Sequence, residues 1–143
     1  MNISIIGTGY VGLVSGACFA SLGHHVICVD IDKDKVDKIN NAVSPIYEKG
    51  LDALLQKYKQ NIEATTSYEK AVQNSDITFI CVGTPSLESG DIDLSFVDQA
   101  TKAVASELKE KDGFHSVIVK STVVPGTTEN HVIPLLEKVS GKK

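Results

Sequence analysis

The sequence predicts an α/β protein built on an open, doubly wound parallel sheet, and three observations carry that prediction. Short β-branched runs alternate with longer stretches of helical period. Several of the short runs are almost continuously apolar, as strands covered by helices on both faces must be. A glycine-rich loop joins the first run directly to the first helical stretch. The strand runs are Ile3 to Ile6, Val26 to Asp30, Ile62 to Thr66, Ile77 to Val82 and Val117 to Lys120. Between them apolar residues fall at helical spacing. Val11, Val14, Cys18 and Leu22 form one stripe, stopped by Gly23, and Val36, Ile39 and Val43 form another. Val97, Thr101, Val104 and Leu108 form a third, with Ser95 as its expected cap and Asp98 completing the capping pattern. A last helix is expected from His131 to Val139, kinked at Pro134. Right-handed crossovers then place helices on both faces of the sheet, in three α/β/α layers.

Composition bounds what such a fold can serve. The chain has 143 residues, the size of one domain, so residues 1–143 read as a single unit. With 42% hydrophobic and 22% charged residues it is too apolar for disorder, and no uncharged apolar run approaches the ~18 residues of a membrane span. The amino terminus is apolar but has neither a basic start nor a small-residue cleavage site, so a cytoplasmic protein is expected. Every basic residue is a lysine, and the net charge is −4. Without arginine's planar fork the chain lacks the usual tool for gripping nucleic acid, and no such partner is expected. Cys18, Cys28 and Cys81 lie in apolar runs without CxxC spacing and read as buried, reduced thiols. No histidine or cysteine pair has the spacing of a metal site, and none of His24, His25, His115 and His131 is placed to act as a base. Ser44 to Gly50 and Thr84 to Asp93 are turn-rich, polar and expected as surface loops near a site; Leu51 to Tyr58 is a short helical run; Ser140 to Lys143 is expected to fray.

The chemistry concentrates in Gly7-Thr8-Gly9-Tyr10-Val11-Gly12, which reads GxGxxG between the first strand and the first helix. In that setting Gly7 allows a tight turn, Gly9 lets a pyrophosphate approach the backbone, and Gly12 lets helix and sheet pack closely. The helix then points its free N–H groups and positive dipole end at the phosphates. Asp30, at the end of the second strand, is placed to accept hydrogen bonds from both hydroxyls of an adenosine ribose. Its charge disfavours a ribose 2′-phosphate, and Lys33 and Lys35 are the only cations near enough to offset it. Lys35 reads as a ribose-side donor, so NAD is expected rather than NADP. Thr84 and Thr122 follow the fourth and fifth strands, where their hydroxyls either face the cofactor or cap a turn. A Rossmann-type sheet orders six strands 3-2-1-4-5-6, but only five can be read here. The sixth is expected to be missing, which leaves the fifth as an edge prone to self-association.

Five motifs in order carry a resemblance that spans essentially the whole chain. They are Ile5 to Leu13; Gly23-His24-His25-Val26 leading to Val29-Asp30-Ile31-Asp32; Ser44-Pro45-Ile46-Tyr47-Glu48 with Gly50-Leu51; Cys81 to Ser86 with Asp93-Leu94-Ser95; and Ser121 to Thr127. The chain resembles the NAD-binding domain of the UDP-glucose/GDP-mannose dehydrogenase family, with Lys49 standing where the family commonly has proline. The resemblance implies NAD-dependent, four-electron oxidation of a nucleotide-sugar C6 alcohol to a uronic acid, using two NAD and a cysteine-bound thiohemiacetal and thioester. It also implies a longer, homodimeric enzyme whose second domain supplies that cysteine in a GGSC-type motif, with a lysine, an asparagine and a glutamate beside it. None of those motifs occurs here, so this chain alone is expected to be inactive. The family roles that map onto it put Gly7, Gly9, Tyr10, Val11 and Gly12 on the dinucleotide and Asp30 and Lys35 on the adenosine ribose. They put Thr84 near the cofactor phosphates and ribose and Thr122, the one catalytic-side residue, near the nicotinamide. UDP-glucose is the expected substrate. GDP-mannose is the alternative, supported by Phe79 to Ser86 and His131 to Leu136, and a stand-alone NAD-binding module without chemistry is a further one.

Overall fold

β1 (Asn2–Ile6) lies at the middle of a five-stranded parallel sheet ordered β3-β2-β1-β4-β5, where β2 is His25–Val29, β3 Ile62–Thr65, β4 Ile77–Ile80 and β5 Ser116–Val119. The structure is a computed structural model and describes residues 1–143. Its helices are α1 (Tyr10–Ser21), α2 (Lys33–Asn40), α3 (Leu51–Lys57), α4 (Tyr68–Gln73), α5 (Ser95–Lys109) and α6 (Ile133–Ser140). The predicted doubly wound α/β class is the one observed, with five strands and β5 at an edge.

Strand alternation explains the three layers. In register, Ile5 lies opposite Cys28 on one side and Phe79 on the other, and Ile6 opposite Val29 and Ile80. Ile5 and Cys28 join Leu13, Ala17, Leu51 and Leu55 in one core under α1 and α3. Ile6, Ile27 and Ile80 point the other way and join Val72, Val104 and Leu108 of α4 and α5. Each central strand therefore needs apolar residues at nearly every position, which is why these runs are legible as almost continuous apolar stretches.

Six expectations need correction. The buried face of α1 is Gly12, Leu13, Gly16, Ala17 and Ala20, whereas Val11, Cys18 and Leu22 are exposed. Small residues win because the helix packs close: a Cβ at Gly16 would sit 3.2 Å from Ile5 Cδ1 and 3.3 Å from Cys28 Sγ. Of the three cysteines only Cys28 and Cys81 are buried. Val43 lies beyond α2, which ends at Asn40, and it is exposed after the left-handed turn at Ala42. Ser95 is the first residue of α5 rather than its cap, and the Asp93 carboxylate instead accepts the Ser95 N–H at 2.8 Å. The last helix starts earlier than expected, as a π-turn over Thr128–Val132 that passes directly into α6 with Pro134 at the junction. The chain end is tied down at Ser140, which is buried in α6, donates to Leu136 O at 2.7 Å and accepts the Lys142 N–H at 3.2 Å.

A polar network closes the amino-terminal edge of the sheet. Ser4 Oγ and Thr78 Oγ1 lie 2.6 Å apart, Ser75 donates to Ser4 at 3.0 Å, and His115 Nε2 lies 2.7 Å from Thr78 Oγ1. Beside it the Lys111 ammonium donates to the carbonyls of Val72, Gln73 and Ser75. Burial, and then the Lys111 charge, push the His115 imidazole down from 6.5 to about 4. The folded protein thus keeps His115 neutral in a window where the unfolded chain protonates it. The stability this confers is fully present above pH 6.5 and is lost as the pH falls towards 4. Urea denaturation of the wild type and His115→Gln across that window should show a shallower loss in the variant, and parallel slopes would refute the assignment.

Candidate functional site

All five strands end on one edge, and there the carboxyl ends of β1, β2 and β4 open onto a cleft of about 440 Å³. Its floor is the loop from β1 to α1. Gly7 holds φ +98°, and a Cβ there would lie 2.8 Å from the Cys81 carbonyl oxygen. At Gly12 a Cβ would fall 1.9 Å from Gly7 O, so the turn and the helix close on each other. Gly9 differs, because nothing lies within 4 Å of where its Cβ would be. It is also the N-cap of α1, with no side-chain cap and no acidic residue in the first helical turn. Open space, free N–H donors and an uncompensated positive helix end together suit an anionic ligand, and they fit a dinucleotide pyrophosphate.

Asp30 forms one wall, at the end of β2. Its Oδ2 accepts the Thr8 N–H at 3.0 Å and the Thr8 O–H at 2.5 Å, its Oδ1 accepts the Asp32 N–H at 3.0 Å, and Lys35 Nζ stands 3.7 Å from Oδ2. Burial alone would raise its carboxyl. The hydrogen bonds from Thr8 and Asp32, with the Lys35 charge, outweigh that and hold it below the usual 3.8. Asp30 is therefore ionised at neutral pH. Across the cleft Tyr68 is half-buried, and its phenol is pushed up by burial and by the Asp30 charge. Phe96, Gln99 and Ala100 of α5 complete that wall at helical spacing, and Ile31 stands 86% exposed beside Asp30. Cys81 is on the floor, but burial raises its thiol to about 11 and that of Cys28 to about 12. Neither thiol ionises at neutral pH, so neither serves as a nucleophile here.

The structure brings Gly7, Gly9, Asp30 and Lys35 together on this cleft, while Gly12 sits behind it in the packing of helix on turn. Tyr10 and Val11 are exposed on the first turn of α1 and line an adjoining hollow with Glu48 and Lys120. Thr84 is half-buried in the loop after β4 and Thr122 exposed in the loop after β5; both lie on the same edge of the sheet but outside the cleft. Sequence reasoning missed Thr8, Tyr68, Phe96 and Gln99. Thr8 had a signal, a hydroxyl beside the glycine turn and next to the expected acid, whereas the other three reach the cleft only through tertiary packing.

A parallel sheet in this order, a glycine turn into an uncapped helix and an ionised carboxylate at the end of β2 define a Rossmann-type dinucleotide-binding domain. Within that class the chain belongs to the UDP-glucose/GDP-mannose dehydrogenase family as its NAD binding domain, with residues 1–143 matched, and its cofactor is NAD. It is 50% identical over 145 residues to a GDP-mannose 6-dehydrogenase of Pseudomonas aeruginosa, covering 100% of this chain and 33% of that one. It is 44% identical over 144 residues to UDP-glucose 6-dehydrogenase AglM of Haloferax volcanii, with the same coverage. Among solved structures, a ternary complex of the Pseudomonas aeruginosa GDP-mannose dehydrogenase superposes with a TM-score of 0.97 at 50% identity, over 100% of this chain and 33% of that one. A UDP-glucose dehydrogenase from Pyrobaculum islandicum superposes with a TM-score of 0.93 at 39% identity, over 98% and 33%. The chain thus spans about a third of the length of the curated relatives it matches. No helix is long and apolar enough to cross a membrane.

Proposed function

We propose that this chain supplies the NAD-binding part of a nucleotide-sugar 6-dehydrogenase, which oxidises a C6 alcohol to a uronic acid. The observation that carries this reading is similarity, over the whole of this chain, to a third of the length of proteins named for that activity, combined with a cleft whose glycines and Asp30 suit NAD. NAD, when bound, supplies the hydride acceptor. The chain's own residues bind and orient it. Gly7, Gly9 and Gly12 shape the loop, and the first turn of α1, with Tyr10 and Val11, offers N–H groups to the phosphates. Asp30 and Lys35 hold the adenosine ribose, and Thr84, on the loop leaving β4, reaches the cofactor phosphates and ribose. Thr122, on the loop leaving β5, is the catalytic residue, its hydroxyl holding a water or substrate hydroxyl at the reacting carbon.

UDP-glucose is the proposed substrate. GDP-mannose is a second reading, favoured by the 50% identity to a GDP-mannose 6-dehydrogenase against 44% to a UDP-glucose 6-dehydrogenase. The active protein is proposed to be cytoplasmic and homodimeric. NADH formation by the longer protein that this reading requires, assayed with each sugar nucleotide, is the test. Turnover of UDP-glucose is expected; turnover of GDP-mannose alone selects the second reading, and turnover of neither overturns both. In that protein Thr122→Ala should lower kcat far more than it weakens NAD binding. The 143-residue chain alone should bind NAD and turn over nothing.

A further inference from the structure

We infer that Thr8 is a positioning residue for cofactor selection, its hydroxyl and amide together fixing the Asp30 carboxylate in the orientation that takes an unphosphorylated ribose. Thr8 is completely buried, although it lies in a loop that faces a cleft. A buried hydroxyl must find a partner, and this one donates to Asp30 Oδ2 at 2.5 Å, alongside the Thr8 amide at 3.0 Å. An ionised carboxylate offers about four lone-pair sites. Thr8 fills both on Oδ2 and the Asp32 amide fills one on Oδ1, which leaves one Oδ1 site open.

The last torsion of an aspartate is otherwise broad, so unfastened oxygens would turn towards whatever charge lies nearest. Around Asp30 the ionisable groups are Lys35 and Asp32 of the α2 start, Tyr68 of α4 and Cys28 of β2. Lys35 is the one cation, 3.7 Å from Oδ2. With the Thr8 hydroxyl removed, Oδ2 is free to close further on Lys35, which neutralises the negative charge on the cleft wall that repels a 2′-phosphate. Thr8 thus sets both the affinity for NAD and the discrimination against NADP, a consequence that rests on NAD being the cofactor of this cleft.

Calorimetric titration of the 143-residue chain with NAD and NADP tests this. Wild-type binding of NAD verifies the cofactor reading independently of Thr8. Thr8→Val, nearly isosteric, should weaken NAD about tenfold, the effect of one lost hydrogen bond to a charged group, and should narrow the NAD to NADP ratio. Thr8→Ser should restore both. In an Asp30→Asn background Thr8→Val should cost much less than in the wild type, because two residues acting as one unit are not additive. NAD affinity unchanged in Thr8→Val, equal losses for NAD and NADP, failure of serine to rescue, or full additivity with Asp30→Asn would each overturn the inference. If Thr8→Val does not fold, Thr8→Ala removes the same hydroxyl without the second methyl and is read by the same outcomes.

Discussion

Gly12→Ala is expected to destabilise the fold by about 3 kcal/mol or more, whereas Gly9→Ala, in the same loop, should leave folding stability within about 1 kcal/mol and remove most NAD binding. The contrast follows from what each added methyl meets. At Gly12 it would fall 1.9 Å from the Gly7 carbonyl oxygen and 3.2 Å from Cys81 Cβ. Both neighbours are held, since Gly7 N–H donates to Val29 O at 2.8 Å and Cys81 N–H donates to Ile6 O at 2.8 Å. Relief requires α1 to move off the sheet, which opens the core around Leu13 and Ala17. At Gly9 φ is −73° and the space is empty, so alanine is sterically tolerated there. That empty space is where a pyrophosphate would contact the backbone. Urea denaturation and NAD titration of both variants separate the two effects. Equal destabilisation by both, or undiminished NAD binding by Gly9→Ala, would show that the loop is not a phosphate cradle.

Asp30→Ala should weaken NAD by tenfold or more and erase the preference for NAD over NADP. It removes an acceptor for the ribose and also leaves the Thr8 N–H and O–H without their partner, in a residue with no exposed surface. A stability loss of roughly 1–3 kcal/mol is therefore expected together with the affinity loss. The pH dependence has a definite sign. The Asp30 carboxyl is held below 3.8 in the fold, so its contribution is present above that value and is lost as the pH falls through the folded-state pKa. The wild type should consequently lose more stability than Asp30→Ala on acidification below pH 4, the His115 contribution being common to both. Retention of the NAD to NADP ratio in Asp30→Ala would remove this residue from the selectivity of the site.

Cofactor class and fold were legible because both depend on short-range requirements. A glycine with positive φ between a strand and a helix, an acid closing the next β-branched run, and runs of apolar residues too continuous for a one-sided sheet are each visible within a few residues. The strand boundaries moved by no more than two residues, and the moves have one direction at the site: Asp30, Cys81, Val82 and Lys120 fall just beyond the strands, where the chain turns into the loops that line the cleft and its adjoining hollow.

What the sequence by itself determined is therefore the α/β alternation, the turn at Gly7, the acid at Asp30 and the choice of NAD, all of which rest on local backbone geometry and charge. Only the tertiary structure decided which face of α1 is buried, because close approach to the sheet rewards Gly12, Gly16 and Ala17 over the more apolar Val11 and Leu22. It likewise decided that Thr8 fastens Asp30 and that Tyr68, Phe96 and Gln99 stand around the same cleft. These residues come from α4, α5 and the first loop, remote from one another along the chain. Parallel strand register and helix packing bring them together, and neither is written in any one segment.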